Sequence, residues 1–526
     1  MNVISPSSDC KSFVGLDSRI ERVKSLLCIE TSDFRAVGIW GMGGIGKTTI
    51  AGVVFDQISS QFEGCCFVAN VREESENGSG LIRLRDQVLS NILEENINLG
   101  CPNIPPFIKR RLESKKVFIV LDDVNSLKQL ETLAGGIDRF GPGSRIIITT
   151  RDKQLLLNFG VGDNIYKVDS LYNHEALQLF CKYAFKEDCP PKDLMLCAQS
   201  VVDYANGNPL ALKVLGCSLY RKSKQNWENA LYKLKKISNP EIHSMLKISF
   251  EGLDKEERDI FLDIVCFFKG EHRDHVTQIL NGCYFSAQVG ISVLIDKSLI
   301  TISRRNKIHM HDLLQEMGWE IVRQKSSNKP GKRSRLHHQE DVCLVLKKNL
   351  GTEAVKGMLL NTSRIKNLDL DSQAFERMRN LRYLKFYDDE HHPRSEDINI
   401  SKVINLPHDL NYLPNELRYL HWNGYPSKAL PSTFSLENLV ELDLSTGNIE
   451  QLWKGKKHAP KLKRLNLSHS CHLTEMPDLS NTPCLEDINL VHCKSLLDIS
   501  SSLQHLNKLR MKASEAFQQK FILSLL

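Results

Sequence analysis

The sequence predicts a multidomain chain: an α/β domain on a parallel sheet, a helical domain, a winged-helix domain, and an α/β leucine-rich-repeat solenoid. Three observations predict it. Short apolar runs alternate with amphipathic helical patterns up to about residue 170. A mostly helical stretch with one hairpin signal follows to about residue 325. The last third then repeats a Leu-x-x-Leu-x-Leu unit at 22- to 23-residue steps. A chain of 526 residues is too long for one core. Its 41% hydrophobic and 25% charged residues are ordinary for globular domains. A net charge of +6 on this length is too small to argue for nucleic acid. The 15 cysteines include no CxxC pair and no zinc-like Cys/His spacing, which favours free thiols in a reducing compartment. Residues 1–13 carry neither a basic n-region nor an apolar h-region, so no secretory signal is expected in them, and the densest apolar stretch, Ile260 to Phe268, is broken by Asp263 and too short to span a bilayer.

Residues 1–12 are rich in Ser and Pro and read as a linker. Within 13–170 the apolar runs are Ala36–Trp40, Cys65–Val71, Val117–Leu121, Ile146–Thr149 and Ile165–Val168. Between them Ala51, Val54, Phe55 and Ile58 fall at helical spacing, as expected for a parallel sheet covered by helices. The first run opens into Gly41-Met42-Gly43-Gly44-Ile45-Gly46-Lys47-Thr48-Thr49, which matches a P-loop at every fixed position. Its glycines let backbone N–H groups turn toward phosphates at the start of a helix. Lys47 then reaches the β- and γ-phosphates, and the Thr48 hydroxyl binds Mg²⁺. The domain is therefore read as a P-loop nucleotide-binding domain.

The third run ends in Asp122-Asp123, the pattern of a Walker B strand. Asp122 is the candidate Mg²⁺ ligand, and Asp123 the candidate base that orients an attacking water. A pair that merely caps the following helix is the plainer alternative. The fourth run ends at Arg151, which could sense a γ-phosphate, although an arginine after a strand is more often a surface residue.

From 171 to 240 four helical patterns form a helical domain. Residues 241–335 add helices and a hairpin signal, SLITIS and KIHM around Arg304-Arg305-Asn306, which fits a winged helix. Residues 336–354 are expected to connect it to the repeats at 355–508. The basic stretch Lys329–Arg335 reads as solvated linker rather than as a nuclear-import or nucleic-acid patch. The repeats begin at Leu417, Leu439, Leu462 and Leu485. Degenerate members begin at Val355 and Leu381, and an insertion lies near His391–Ile400. Trp422 falls on a strand core position. Residues 509–526 are expected to be an atypical tail, because Lys512 and Ser514 stand where apolar residues should follow Leu509.

With these elements in order, the chain resembles the NB-ARC nucleotide-switch module of plant intracellular immune receptors, the disease resistance proteins. It is most similar to the TIR-NB-ARC-LRR class. The signatures are FVGLDSRIERV (13–23), the P-loop, FEGCCFVANVREES (62–75), FIVLDDV (118–124), GPGSRIIITTRD (141–152), GNPLALKVLG (207–216), FLDIVCFF (261–268) and MHD (310–312). The resemblance implies an ADP/ATP-dependent switch with Mg²⁺ and slow hydrolysis that resets it. It also implies that Val14, Gly15 and Pro209 border the adenine, and that His311, supported by Asp312, touches the β-phosphate and locks the closed state. Asn208 replaces the leucine usual in the GLPLAL motif.

The resemblance further implies a cytoplasmic location, with the nucleus left open. It implies detection of a pathogen effector or a guarded host protein through the repeats, and assembly with itself or with full-length receptors. Residues 1–12 look like the linker that follows the TIR domain. The form is therefore expected to lack that domain and its NAD-cleaving activity, which leaves a regulatory or helper form as the alternative to a signalling receptor.

Overall fold

The computed structural model describes residues 14–75, 80–101, 103–135, 140–234, 239–284, 286–365, 367–388, 403–406, 409–496 and 509–513. The 1–12 linker, the insertion at 391–400 and Ser514 onward lie outside them. The chain divides into two compact units. The first is built from 1–254, 292–301 and 310–317, and the second from 255–291, 302–309 and 318–526.

The first unit is organised by five parallel strands: β1 (Arg35–Trp40), β2 (Gly64–Val68), β3 (Val117–Val124), β4 (Arg145–Thr150) and β5 (Ile165–Lys167). Their order is β2-β3-β4-β1-β5. β3 and β4 are buried almost throughout, as continuous apolar runs require when helices cover both faces. The register sets Trp40 beside Thr150, and Thr150 beside Val124. The chain segments leaving β1, β4 and β3 therefore emerge side by side at one edge of the sheet, the edge where open α/β sheets bind ligands. Helices Asn173–Ala184, Met195–Ala205, Pro209–Leu219 and Lys224–Leu234 form the helical part. Trp227 is buried there against Phe180 and Phe185. Helix Pro240–Glu251, N-capped by Asn239, belongs to this unit as well. So do Asp296, whose carbonyl accepts from Trp40 Nε1 at 2.9 Å, and Lys297, paired with Asp152 at 2.9 Å.

The hairpin predicted by SLITIS and KIHM forms as β6 (Thr301–Ile302) and β7 (Ile308–His309). The second unit holds an eight-stranded parallel ladder of β8 (Arg335–Leu336), β9 (Gly357–Asn361), β11 (Tyr383–Tyr387), β13 (Tyr419–Trp422), β14 (Glu441–Asp443), β15 (Arg464–Asn466), β16 (Asp487–Asn489) and β17 (Arg510–Lys512). A separate pair, β10 (Leu368–Asp369) and β12 (Ile404–Asn405), sits beside it in sequence. One row of side chains runs through the ladder in register: Met358, Leu384, Leu420, Leu442, Leu465, Ile488 and Met511. Each repeat thus buries its neighbour's apolar face. Trp422 is fully buried against Phe386.

The ladder differs from the sequence expectation at both ends. It starts at Arg335, inside the stretch read as solvated linker, and the expected connector 336–354 contains helix Gln339–Lys347 packed into the same core. Arg333 pairs with Asp341, and Arg335 is buried on Asp263 and Asp259. At the far end, the tail expected from 509 instead supplies β17. The 23-residue step from Ile488 lands on Met511, so a reading started at Leu509 was one residue out of phase. Among the described residues no helix is long and apolar enough to cross a membrane.

Candidate nucleotide site

A cavity of about 400 Å³ opens at the sheet edge of the first unit. The P-loop turns there through Gly44 (φ 75°) and Gly46 (φ 100°), conformations that L side chains rarely adopt, before helix Lys47–Ile58 begins. Gly44, Ile45, Gly46, Lys47, Thr48 and Thr49 line the cavity; Gly41 and Gly43 shape the loop but do not. Lys47 is buried, and its Nζ donates to the Gly41 and Met42 carbonyls at 2.9 Å each. Burial, reinforced by the charge of Arg151, pushes its pKa down to about 7. The ammonium thus sits in a site that lacks enough negative charge to hold it.

Asp122 is 2% exposed and its Oδ1 accepts from Thr48 Oγ1 at 2.8 Å and Thr149 Oγ1 at 2.6 Å. Burial raises its pKa, against the pull of both hydroxyls. In a regular strand Asp123 would face away from Asp122. Here the pairing of β3 with β4 shifts register between Leu121 and Val124, and Asp123 takes a left-handed φ of 54°, so both carboxylates line the cavity. Asp123 Oδ2 accepts from Arg72 Nε at 2.9 Å, and its Oδ1 is 3.5 Å from Arg151 Nε. Arg151 Nη1 donates to the Met245 carbonyl at 2.8 Å, while its buried Nε finds no hydrogen-bond partner among the described residues.

The helical part closes the loop from above. Asn208 caps helix Pro209–Leu219 by accepting from Ala211 N, and its Nδ2 donates to Gly43 O at 3.2 Å; Leu210 N donates to Gly44 O at 3.1 Å. The Asn208 departure therefore adds a bond to the P-loop that a leucine could not make. Val14 and Pro209 line the cavity. Gly15 does not: Arg19 bonds its carbonyl, and Arg19 in turn pairs with Glu175 at 3.3 Å. His311 does not line it either. Its Nε2 lies 2.9 Å from the Asn206 carbonyl, and Asn206 Nδ2 donates to Asp312 Oδ2 at 3.1 Å.

Sequence reasoning did not single out Arg72, Thr149, Tyr183, Lys213 or Met245, all of which line the cavity. Arg72 and Thr149 stood inside motifs already noticed. Lys213 is one helical turn beyond Pro209, on the same face.

The residues fit a nucleoside phosphate with Mg²⁺. The orphaned Arg151 Nε and the depressed Lys47 both call for an anion, and Thr48 with Asp122 forms an oxygen pair suited to a hard cation. Residues 16–189 match the NB-ARC domain family, and residues 254–326 match the winged-helix domain described as Disease resistance protein Roq1-like. The chain is 44% identical over 515 residues to Disease resistance protein RPV1 of Vitis rotundifolia, covering 94% of this chain and 36% of that protein. It is 42% identical to Disease resistance protein RUN1 of the same plant (94% and 38%) and 40% identical to TMV resistance protein N of Nicotiana glutinosa (94% and 42%). The chain thus spans less than half the length of these relatives.

Proposed function

We propose that this chain, which carries an NB-ARC domain and a Roq1-like winged-helix domain and whose homologues are plant disease resistance proteins, is an ADP/ATP-dependent switch in plant innate immunity. The observation that carries the reading is the pair of bonds from Asn208 and Leu210 to the Gly43 and Gly44 carbonyls. The phosphate loop is held by the helical part as well as by its own sheet, so a change of phosphate state is felt outside the sheet domain.

In this reading Lys47 and the P-loop N–H groups hold the phosphates, Thr48 and Asp122 hold Mg²⁺, and Val14 and Pro209 border the base. Bound Mg²⁺ supplies charge neutralisation for the phosphate oxygens. Arg151 reports the terminal phosphate. His311 and Asp312 act at one remove. They grip Asn206, two residues before the asparagine that grips the P-loop, and so couple the MHD segment to the phosphates through one short run of chain. The nucleotide then shifts the population between closed and open arrangements only through its different affinities for them. The repeats recognise an effector or a guarded host protein.

The test is nucleotide extraction from the purified chain, quantified by chromatography and mass analysis. The parent chain is expected to retain mainly ADP, and Asp312→Val to shift the ATP:ADP ratio upward by about fivefold or more. An unchanged ratio would count against the MHD coupling, and absence of any nucleotide against the site.

A further inference from the structure

We propose that Arg72 is a second ligand for the terminal phosphate, paired with Arg151 through Asp123, and that Asp123 positions these two guanidiniums rather than acting first as a base. The inference rests on the nucleotide-switch reading above and extends it to a residue with no assigned role.

Three observations carry it. First, each oxygen of Asp123 faces a different arginine: Oδ2 accepts from Arg72 Nε at 2.9 Å and Oδ1 lies 3.5 Å from Arg151 Nε. Both oxygens of the carboxylate thus have a guanidinium beside them, the arrangement of a counter-ion that holds two cations in place. Second, the backbone is bent to bring this about. A left-handed φ at a non-glycine residue beside a register shift is uncommon, and it persists where the surroundings enforce it. Here it turns Asp123 off the face opposite Asp122 and into the cavity between the arginines. Third, Arg151 Nε has the Asp123 carboxylate 3.5 Å away yet makes no hydrogen bond among the described residues, so a buried donor at the cavity is left for an incoming anion.

Arg72 is itself fixed in place. It opens the short helix Val71–Ser75, which follows Asn70 in a left-handed conformation (φ 51°), and Ser75 Oγ donates to the Arg72 carbonyl. Its Nη2 reaches Glu73 at the exposed side, so the guanidinium lies across the cavity wall with its Nε on Asp123. A diphosphate leaves Asp123 as the counter-ion of both arginines. A triphosphate brings a further anion that competes with Asp123 for the same two guanidiniums, and planar forks suit phosphate oxygens well. Arg72 therefore discriminates between the two nucleotides.

The test is calorimetric titration of the full chain, stripped of nucleotide, with Mg-ADP and Mg-ATP. Arg72→Gln is expected to weaken ATP about tenfold more than ADP, with Arg72→Lys intermediate because it keeps the charge and loses the fork. Asp123→Asn, which releases both arginines, is expected to raise the preference for ATP about threefold or more. If Arg72→Gln weakens both nucleotides equally, or neither, the inference is overturned, because a structural ion pair would not distinguish them. Where Arg72→Gln does not fold, Arg72→Lys decides on the same ratio: a fall of about threefold supports the inference and an unchanged ratio overturns it. A parent chain that binds neither nucleotide overturns the site itself, a result distinct from either.

Discussion

Each unit buries a cluster of charges, and the two clusters are built on opposite terms. In the second unit Arg335, 1% exposed, sends its Nε to Asp263 Oδ1 at 2.6 Å and its Nη2 to Asp259 at 3.1 Å, while Tyr284 donates to the other oxygen of Asp263. These charges are satisfied by one another, and the Arg335 pKa lies above its ordinary value, the pull of Asp263 and its neighbours outweighing burial. In the first unit Lys47 leans on two backbone carbonyls, Arg151 keeps a donor without a bond, and Asp123 sits on a strained backbone. A closed set of buried charges marks a structural joint. A set with a buried donor left unbonded marks a place where a ligand completes the protein.

Breaking each cluster should expose the difference. Lys47→Met is expected to abolish nucleotide retention while leaving the thermal midpoint of the stripped chain unchanged or raised, since it removes a buried charge that lacks a partner. The pH dependence carries the same sign. A lysine whose pKa falls from 10.5 to about 7 on folding binds fewer protons folded than unfolded between those values. The stripped chain should therefore gain stability as pH rises from 7 toward 10. Nucleotide affinity should fall over that range, by up to about tenfold per pH unit, with proton uptake on binding. Calorimetry in buffers of different ionisation enthalpy reads that uptake, and none at pH 8 would sink this account of Lys47.

Arg335→Ala leaves Asp263 buried without its counter-ion, so it is expected to cost about 3–5 kcal/mol in denaturant unfolding. The nucleotide content of the folded fraction should not change. A mild loss would place water or another cation at that joint. The smallest effect is expected at Asn208→Ala, about 1 kcal/mol from the lost cap. It should be accompanied by a change in nucleotide off-rate, because the same side chain holds Gly43. Loss of stability with an unaltered off-rate would reduce Asn208 to a helix cap.

Much of this is legible in the sequence. The P-loop, the Asp122 strand end and the in-register leucines follow from local chemistry and from periods read along the chain. The structure, not the spacing, settles where β3 and β4 fall out of register, so the aim of Asp123 could not be read from FIVLDDV. Arg335 looked solvated because its neighbours are basic; its partners Asp263 and Asp259 lie 72 and 76 residues upstream, and Asp263, within FLDIVCFF, looked like an interruption of an apolar run. His311, expected at the phosphate, lies with its Nε2 on the Asn206 carbonyl, a partner that spacing along the chain does not reveal. Compactness and domain membership also part company: residues 292–301 and 310–317 group with the first unit, while the winged-helix family match runs over 254–326, within the 241–335 read from the sequence.

The contact between His311 and Asn206 has one more consequence. It ends on a peptide oxygen, which every residue possesses, at a position held in a left-handed turn (φ 46°). The His311 bond needs the handedness of the chain at 206, while the Asp312 bond needs the side-chain amide of Asn206 as well. Asparagine and glycine keep that turn readily, and a β-branched residue does not. A glycine at 206 would keep the His311 bond and lose the Asp312 one, so a single substitution separates the two halves of the joint.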